Sequence, residues 1–134
     1  MLTVKCIVRP SKIHGLGLFA AEKISKGVII WKFNPRFDIY FDQKEVEKMP
    51  QTQKEFIKMY APLTVSGKYV FSIDDSRFMN HSSVNNNMDV MDAEGEPEKI
   101  AIANREIEKG EELLTNYREF DEVDKHDETG YLNT

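Results

Sequence analysis

The stretch Arg77-Phe78-Met79-Asn80-His81-Ser82-Ser83, running on through Asn85, Asn86 and Asn87, is the hardest part of this chain to read as plain scaffold. Asn and His side chains carry directional donors and acceptors, so a row of them either faces water or answers a polar ligand. If buried, so many amides need partners. An exposed polar loop is the alternative, and the stretch alone does not choose between them. A metal site has little support. His14, His81 and His126 are the three histidines, and no tightly spaced His or Asp accompanies His81.

Two further segments flank it at a distance. Gly15-Leu16-Gly17 sets two glycines around one apolar residue, which permits a positive φ or a close backbone approach to a ligand. It lacks the full phosphate-binding glycine spacing and does not join a strand to a long helix, so a simple turn explains it equally well. Gly110-Glu111-Glu112-Leu113-Leu114-Thr115-Asn116-Tyr117 ends a short apolar run on Tyr117, just before a charged tail. Alone, Tyr117 reads as readily as a core or rim aromatic as it does as a catalytic hydroxyl.

In this order and at this spacing, the three segments resemble the SET-domain family of protein-lysine methyltransferases, over about Lys12 to Tyr117. Ser11–Ala21 looks like the family's glycine motif, Arg77–Ser82 matches its Arg-Phe-x-Asn-His-Ser motif, and Gly110–Tyr117 resembles its closing Gly-Glu-Glu-Leu motif. The resemblance implies transfer of methyl from S-adenosylmethionine to a lysine amine of a basic protein, such as a histone or another DNA-packaging protein. It implies Tyr117 as the catalytic residue and Leu16, Gly17, Tyr69, Arg77, Asn80 and His81 as the cofactor site. The implied fold is mostly β, with short strands in small sheets, a helical insert over 37–65 and a threaded C-terminal segment. Residues 1–118 form the catalytic domain and 119–134 an acidic tail. A SET-fold binding module without catalysis, or an enzyme acting on a non-protein amine, are the competing readings.

Departures from the family pattern carry information. Ser83 stands where many members have a cysteine, and residues 118–134 hold none, so the family's zinc-binding segment after the closing tyrosine is not expected here. The resemblance is thus to the small viral and bacterial form, with no metal expected. One side of the lysine channel then needs another cover, from Phe120 or Tyr131 of the tail or from a second copy in a homodimer. Thr115 stands where members often carry Phe or Tyr influencing how many methyl groups are added, so the methylation state stays open.

Composition fits one domain of 134 residues. The net charge of −5 sits wholly in the tail, where Glu119–Thr134 carries six acidic residues and one lysine. That argues against direct nucleic-acid binding, whose usual footprint is basic. The single cysteine, Cys6, excludes an internal disulfide, and its apolar neighbours predict a buried thiol. No signal-peptide pattern and no bilayer-length apolar run is present, which predicts an intracellular protein without choosing between cytoplasm and nucleus. Strands are expected over Leu2–Arg9, Val28–Phe33, Tyr69–Ile73, Ile100–Ala103 and Glu112–Thr115. One helical region is expected from Asp42 to Tyr60, with Phe56 and Tyr60 packing the insert onto the sheet.

Overall fold

The structure, a computed structural model, describes residues 1–125. Alternating burial along the first strand, β1 (Cys6–Pro10), turns Cys6 and Val8 inward, and the strand pairs antiparallel with β2 (Leu16–Ala20). The expected start at Leu2 moves to Cys6 because the first residues bond elsewhere. Leu2 bridges to Trp31, and the Thr3 amide donates to the Ile30 carbonyl at 2.9 Å. Pro10 is the last residue of β1 rather than its stop, which an edge strand tolerates.

The other strands build three more small sheets. β3 (Ile29–Trp31) and β7 (Met88–Met91) flank β8 (Ile100–Ala103), all antiparallel, while β4 (Asp38–Asp42) pairs with β5 (Lys68–Ser72). β6 (Asn80–His81) runs parallel to β9 (Leu114–Thr115). The mostly β expectation holds, although β2, β4, β6 and β7 were not anticipated from the sequence. Leu18, Ile30, Met88, Ile107 and Leu113 fill the main core and are fully buried. Each contributes roughly 1.5–3 kcal/mol by leaving water, so Leu113→Ala costs about 2–5 kcal/mol once its cavity is included.

The insert departs from the single helical region expected. It starts as a strand and divides into α1 (Gln43–Glu47) and α2 (Gln51–Tyr60). Pro50 causes the break. It lacks an amide hydrogen and biases the preceding residue away from helical angles, so the chain restarts with Pro50 as the N-cap of α2. The face of α2 turned inward is marked by Ile57, which joins Val46, Ala61 and Tyr69 in a second core. Phe56 and Met59 stay largely exposed, with Phe56 resting on Phe71 at 5.6 Å between ring centres.

The closing segment is locked against the Asn-rich loop. Buried Asn87 donates its side-chain amide to the Glu112 carbonyl at 2.8 Å, and its side-chain oxygen accepts from the Leu114 amide at 3.0 Å. Its own main-chain amide donates to the Leu114 carbonyl, and that of Ser82 to the Thr115 carbonyl, both at 3.1 Å. These four bonds carry β9 alongside the Asn-His segment and so position Tyr117, two residues further on.

Candidate functional site

Asn80 joins the three sequence segments at one point. Its side-chain amide lies 3.0 Å from the His14 carbonyl, 3.1 Å from that of Leu16 and 3.1 Å from Oε1 of Glu112. Two amide hydrogens are thus shared among three acceptors, which fastens the glycine segment and the closing segment to β6. Gly17 explains how the chains come so close. It lies within β2, paired with Arg9, and a Cβ there would stand 2.0 Å from Oε1 of Glu112. The close approach that this glycine permits is to the Glu112 carboxylate.

His81 and Tyr117 form the second junction. The Tyr117 amide donates to Nδ1 of His81 at 3.0 Å, and the two rings lie 5.1 Å apart. At its other end the Tyr117 hydroxyl donates to the Met79 carbonyl at 2.6 Å. Phe120 meets the Tyr117 ring edge-on at 5.9 Å. Tyr117 is therefore held at its hydroxyl by Met79 and at its main chain by His81, the residues on either side of Asn80.

Tyr117 lies on the wall of a cavity of about 540 Å³, inside the range of ordinary ligand pockets. Of the sequence-predicted residues, Tyr69, Arg77 and Tyr117 line it. Leu16, Gly17, Asn80 and His81 stand outside its wall, linked to it through the bonds just described. Met79, Met88, Val90 and Ala101 make part of its wall apolar, and buried Thr115 adds a hydroxyl that finds no partner among the described residues. Arg77 lies 4.8 Å from the Phe78 ring centre and 5.9 Å from that of Tyr60. Tyr60 lines the cavity as well as packing on Phe56, a wider part than the sequence assigned to it.

Sequence reasoning missed Glu112, Asn87 and Met79 as parts of the site, although all three fall inside the quoted stretches. Asn87 carried a signal as one of the amides that need partners if buried, and Glu112 as a carboxylate beside the apolar Leu113. Phe120, named as a cover from the tail, does line the cavity; Tyr131 lies outside the described residues. Burial pushes the Cys6 thiol up to about 11, with help from the negative charges of Asp74, Asp75 and Glu22, so it is a poor nucleophile. Burial also raises the pKa of Glu119, against the pull of the Val90 amide that it accepts at 2.7 Å. No helix among the described residues is long and apolar enough to cross a membrane.

The chain is similar to several known proteins. The model of the family described as the SET domain matches residues 15–118. The chain is 30% identical over 129 residues to the Schizosaccharomyces pombe protein named "Histone-lysine N-methyltransferase, H3 lysine-4 specific", covering 87% of this chain and 13% of that protein. It is likewise 30% identical over 127 residues to "Histone-lysine N-methyltransferase 2D" of Homo sapiens, covering 87% of this chain and 2% of the relative. The chain thus spans a small part of the length of these relatives. The crystal structure of the Plasmodium falciparum protein PFL0690c superposes with a TM-score of 0.58 at 21% identity, over 87% of this chain and 95% of that one. At that identity the likeness speaks for the fold alone.

Proposed function

Because this chain belongs to the SET domain family, we propose that it is a protein-lysine methyltransferase that takes its methyl group from S-adenosylmethionine. The observation that carries the reading is the double anchoring of Tyr117 on a cavity wall, by its hydroxyl to Met79 and by its amide to His81. The similarity to histone-lysine methyltransferases supports a lysine-bearing basic protein, such as a histone, as substrate.

The residues present suit the cofactor. Arg77 makes no ion pair among the described residues and suits a carboxylate, while the Tyr60, Tyr117 and Phe120 faces suit an aromatic base or a cation. The unpartnered Thr115 hydroxyl offers a polar contact in an otherwise apolar stretch. In this reading Arg77 and Tyr69 hold the cofactor from the cavity side. Leu16 and Gly17 offer backbone atoms, and Asn80 and His81 hold it from the motif. When bound, that cofactor supplies a methyl group on a cationic sulfur.

The chain's own task is alignment and drying. A free lysine titrates near 10.4, so it must lose its proton before it can attack. Passage between Met79, Met88 and Val90 strips water from the ammonium and lowers that pKa. Tyr117 donates its hydroxyl hydrogen to Met79, which fixes the oxygen in place as an acceptor that orients the incoming amine. Correct placement of reactants can contribute several kcal/mol without any strong base, and the proton leaves to water.

Purified protein, labelled S-adenosylmethionine and a panel of histones and other basic proteins test the proposal. Label retained on lysine supports it. Cofactor binding without transfer to any lysine or small amine would instead favour a non-catalytic module.

A further inference from the structure

Glu98 is a second chemical feature of the cavity, away from Tyr117, and the methyl-transfer reading makes no use of it. It lies two residues before β8 and is only 5% exposed, yet it contributes to the cavity wall. A carboxylate has four lone-pair positions to satisfy. Among the described residues this one receives a single donor, the hydroxyl of Thr64, which contacts Oε1 and lies 3.1 Å from Oε2. Thr64 in turn lies 2.7 Å from the Ser66 hydroxyl, so Ser66 donates to Thr64 and Thr64 to Glu98.

Among the described residues no cation neutralises it. The basic side chains that share the cavity wall are each engaged elsewhere. Lys58 pairs with Glu47 at 2.8 Å, Lys99 donates to the Glu119 carbonyl at 3.0 Å, and Arg77 lies over aromatic rings. A buried carboxylate with one hydroxyl donor is costly unless a cation completes it. The cavity is open to a guest that could do so.

We propose that Glu98 is a specificity-determining residue that pairs with a basic side chain of the substrate, close in sequence to the lysine to be methylated. This rests on the methyltransferase reading and adds a preference to it. The partner is not the reacting lysine itself. A carboxylate beside that amine would hold it as ammonium and oppose its attack, whereas the amine's place is at Tyr117. An arginine suits the site best, because its planar fork satisfies two carboxylate oxygens at once. The Thr64 hydroxyl, on the turn after α2, holds the carboxylate in place and ties the insert to the loop before β8.

Fluorescence anisotropy with S-adenosylhomocysteine present tests this. Two labelled peptides are used, each with one lysine flanked two residues away on both sides by arginine or, in the second, by uncharged citrulline. The wild type should bind the arginine peptide about tenfold more tightly, the worth of one charged hydrogen-bonded pair. Glu98→Gln, which keeps the shape and still accepts from Thr64, should abolish that preference and leave citrulline-peptide affinity unchanged. Equal preference in both proteins, equal loss on both peptides, or no binding of either peptide by the wild type overturns the proposal. Peptide discrimination without methyl transfer in a parallel assay would leave Glu98 its role and refute the enzymatic reading instead.

Discussion

The main-chain amide of Tyr117 donates to Nδ1 of His81 at 3.0 Å, so the closing tyrosine and the Asn-His motif share a hydrogen bond across 36 positions of sequence. An Nδ1 that accepts an amide carries no proton, so the neutral ring holds its hydrogen on Nε2. The same ring lies against the Tyr117 ring. Losing His81 therefore disturbs the tyrosine and, in the proposed reading, the cofactor as well.

His81→Ala and Asn80→Ala are expected to weaken cofactor binding by about tenfold or more, since each removes hydrogen bonds in a mostly buried setting. Equilibrium binding of S-adenosylmethionine measures this. Unchanged affinity in both variants would separate these residues from the cofactor.

Gly17→Ala should behave as a remote Asn80 variant. The new methyl group would stand 2.0 Å from Oε1 of Glu112, which must swing away and release Asn80. A second substitution, Glu112→Ala, clears that space. Thermal melts of the single and double variants are expected to show non-additive losses, because the two residues are in contact.

Asn87→Ala is predicted to be among the costlier single changes, about 2–4 kcal/mol, because it strands the Leu114 amide and the Glu112 carbonyl in a buried place. Denaturant unfolding measures it. A loss under 1 kcal/mol would show that Asn87 does not hold β9.

Much of this was legible in advance. Three short motifs identified the fold and singled out Tyr117, which lines the cavity, and the strand at Ile100–Ala103 follows directly from its apolar run. The remainder depends on partners far away in sequence. The Met88–Met91 strand exists because β8 is there to pair with it, and its Met-Asp-Val-Met alternation is too short to stand alone. Asn85, Asn86 and Asn87 look alike in the sequence, but only Asn87 lies beneath the closing segment and becomes fully buried. Gly17 reads as a turn residue until the Glu112 carboxylate is seen beside it.

Two titrations give independent checks. Cys6, with its thiol pushed up to about 11, should react with iodoacetamide far more slowly at neutral pH in the folded protein than after unfolding. Comparable rates would place the thiol in water.

Glu119 has its pKa raised above the usual 4.5, chiefly by burial. The folded state therefore binds its proton more tightly than the unfolded chain. The contribution to stability is fully present below that usual value and fades as pH rises through the raised one. Glu119→Gln, which never ionises, should gain on the wild type over that window in thermal melts. A difference independent of pH would contradict the assignment.

The most direct measurement of the central claim is mass spectrometry of a basic lysine-containing protein after incubation with S-adenosylmethionine and either wild type or Tyr117→Phe. The substitution keeps the ring and the His81 bond but removes the hydroxyl that Met79 holds. The account predicts methyl groups on a lysine ε-nitrogen with the wild type, and turnover lowered about a hundredfold in the variant at nearly unchanged cofactor affinity. Equal turnover by both proteins would contradict it, and would remove Tyr117 from the reaction.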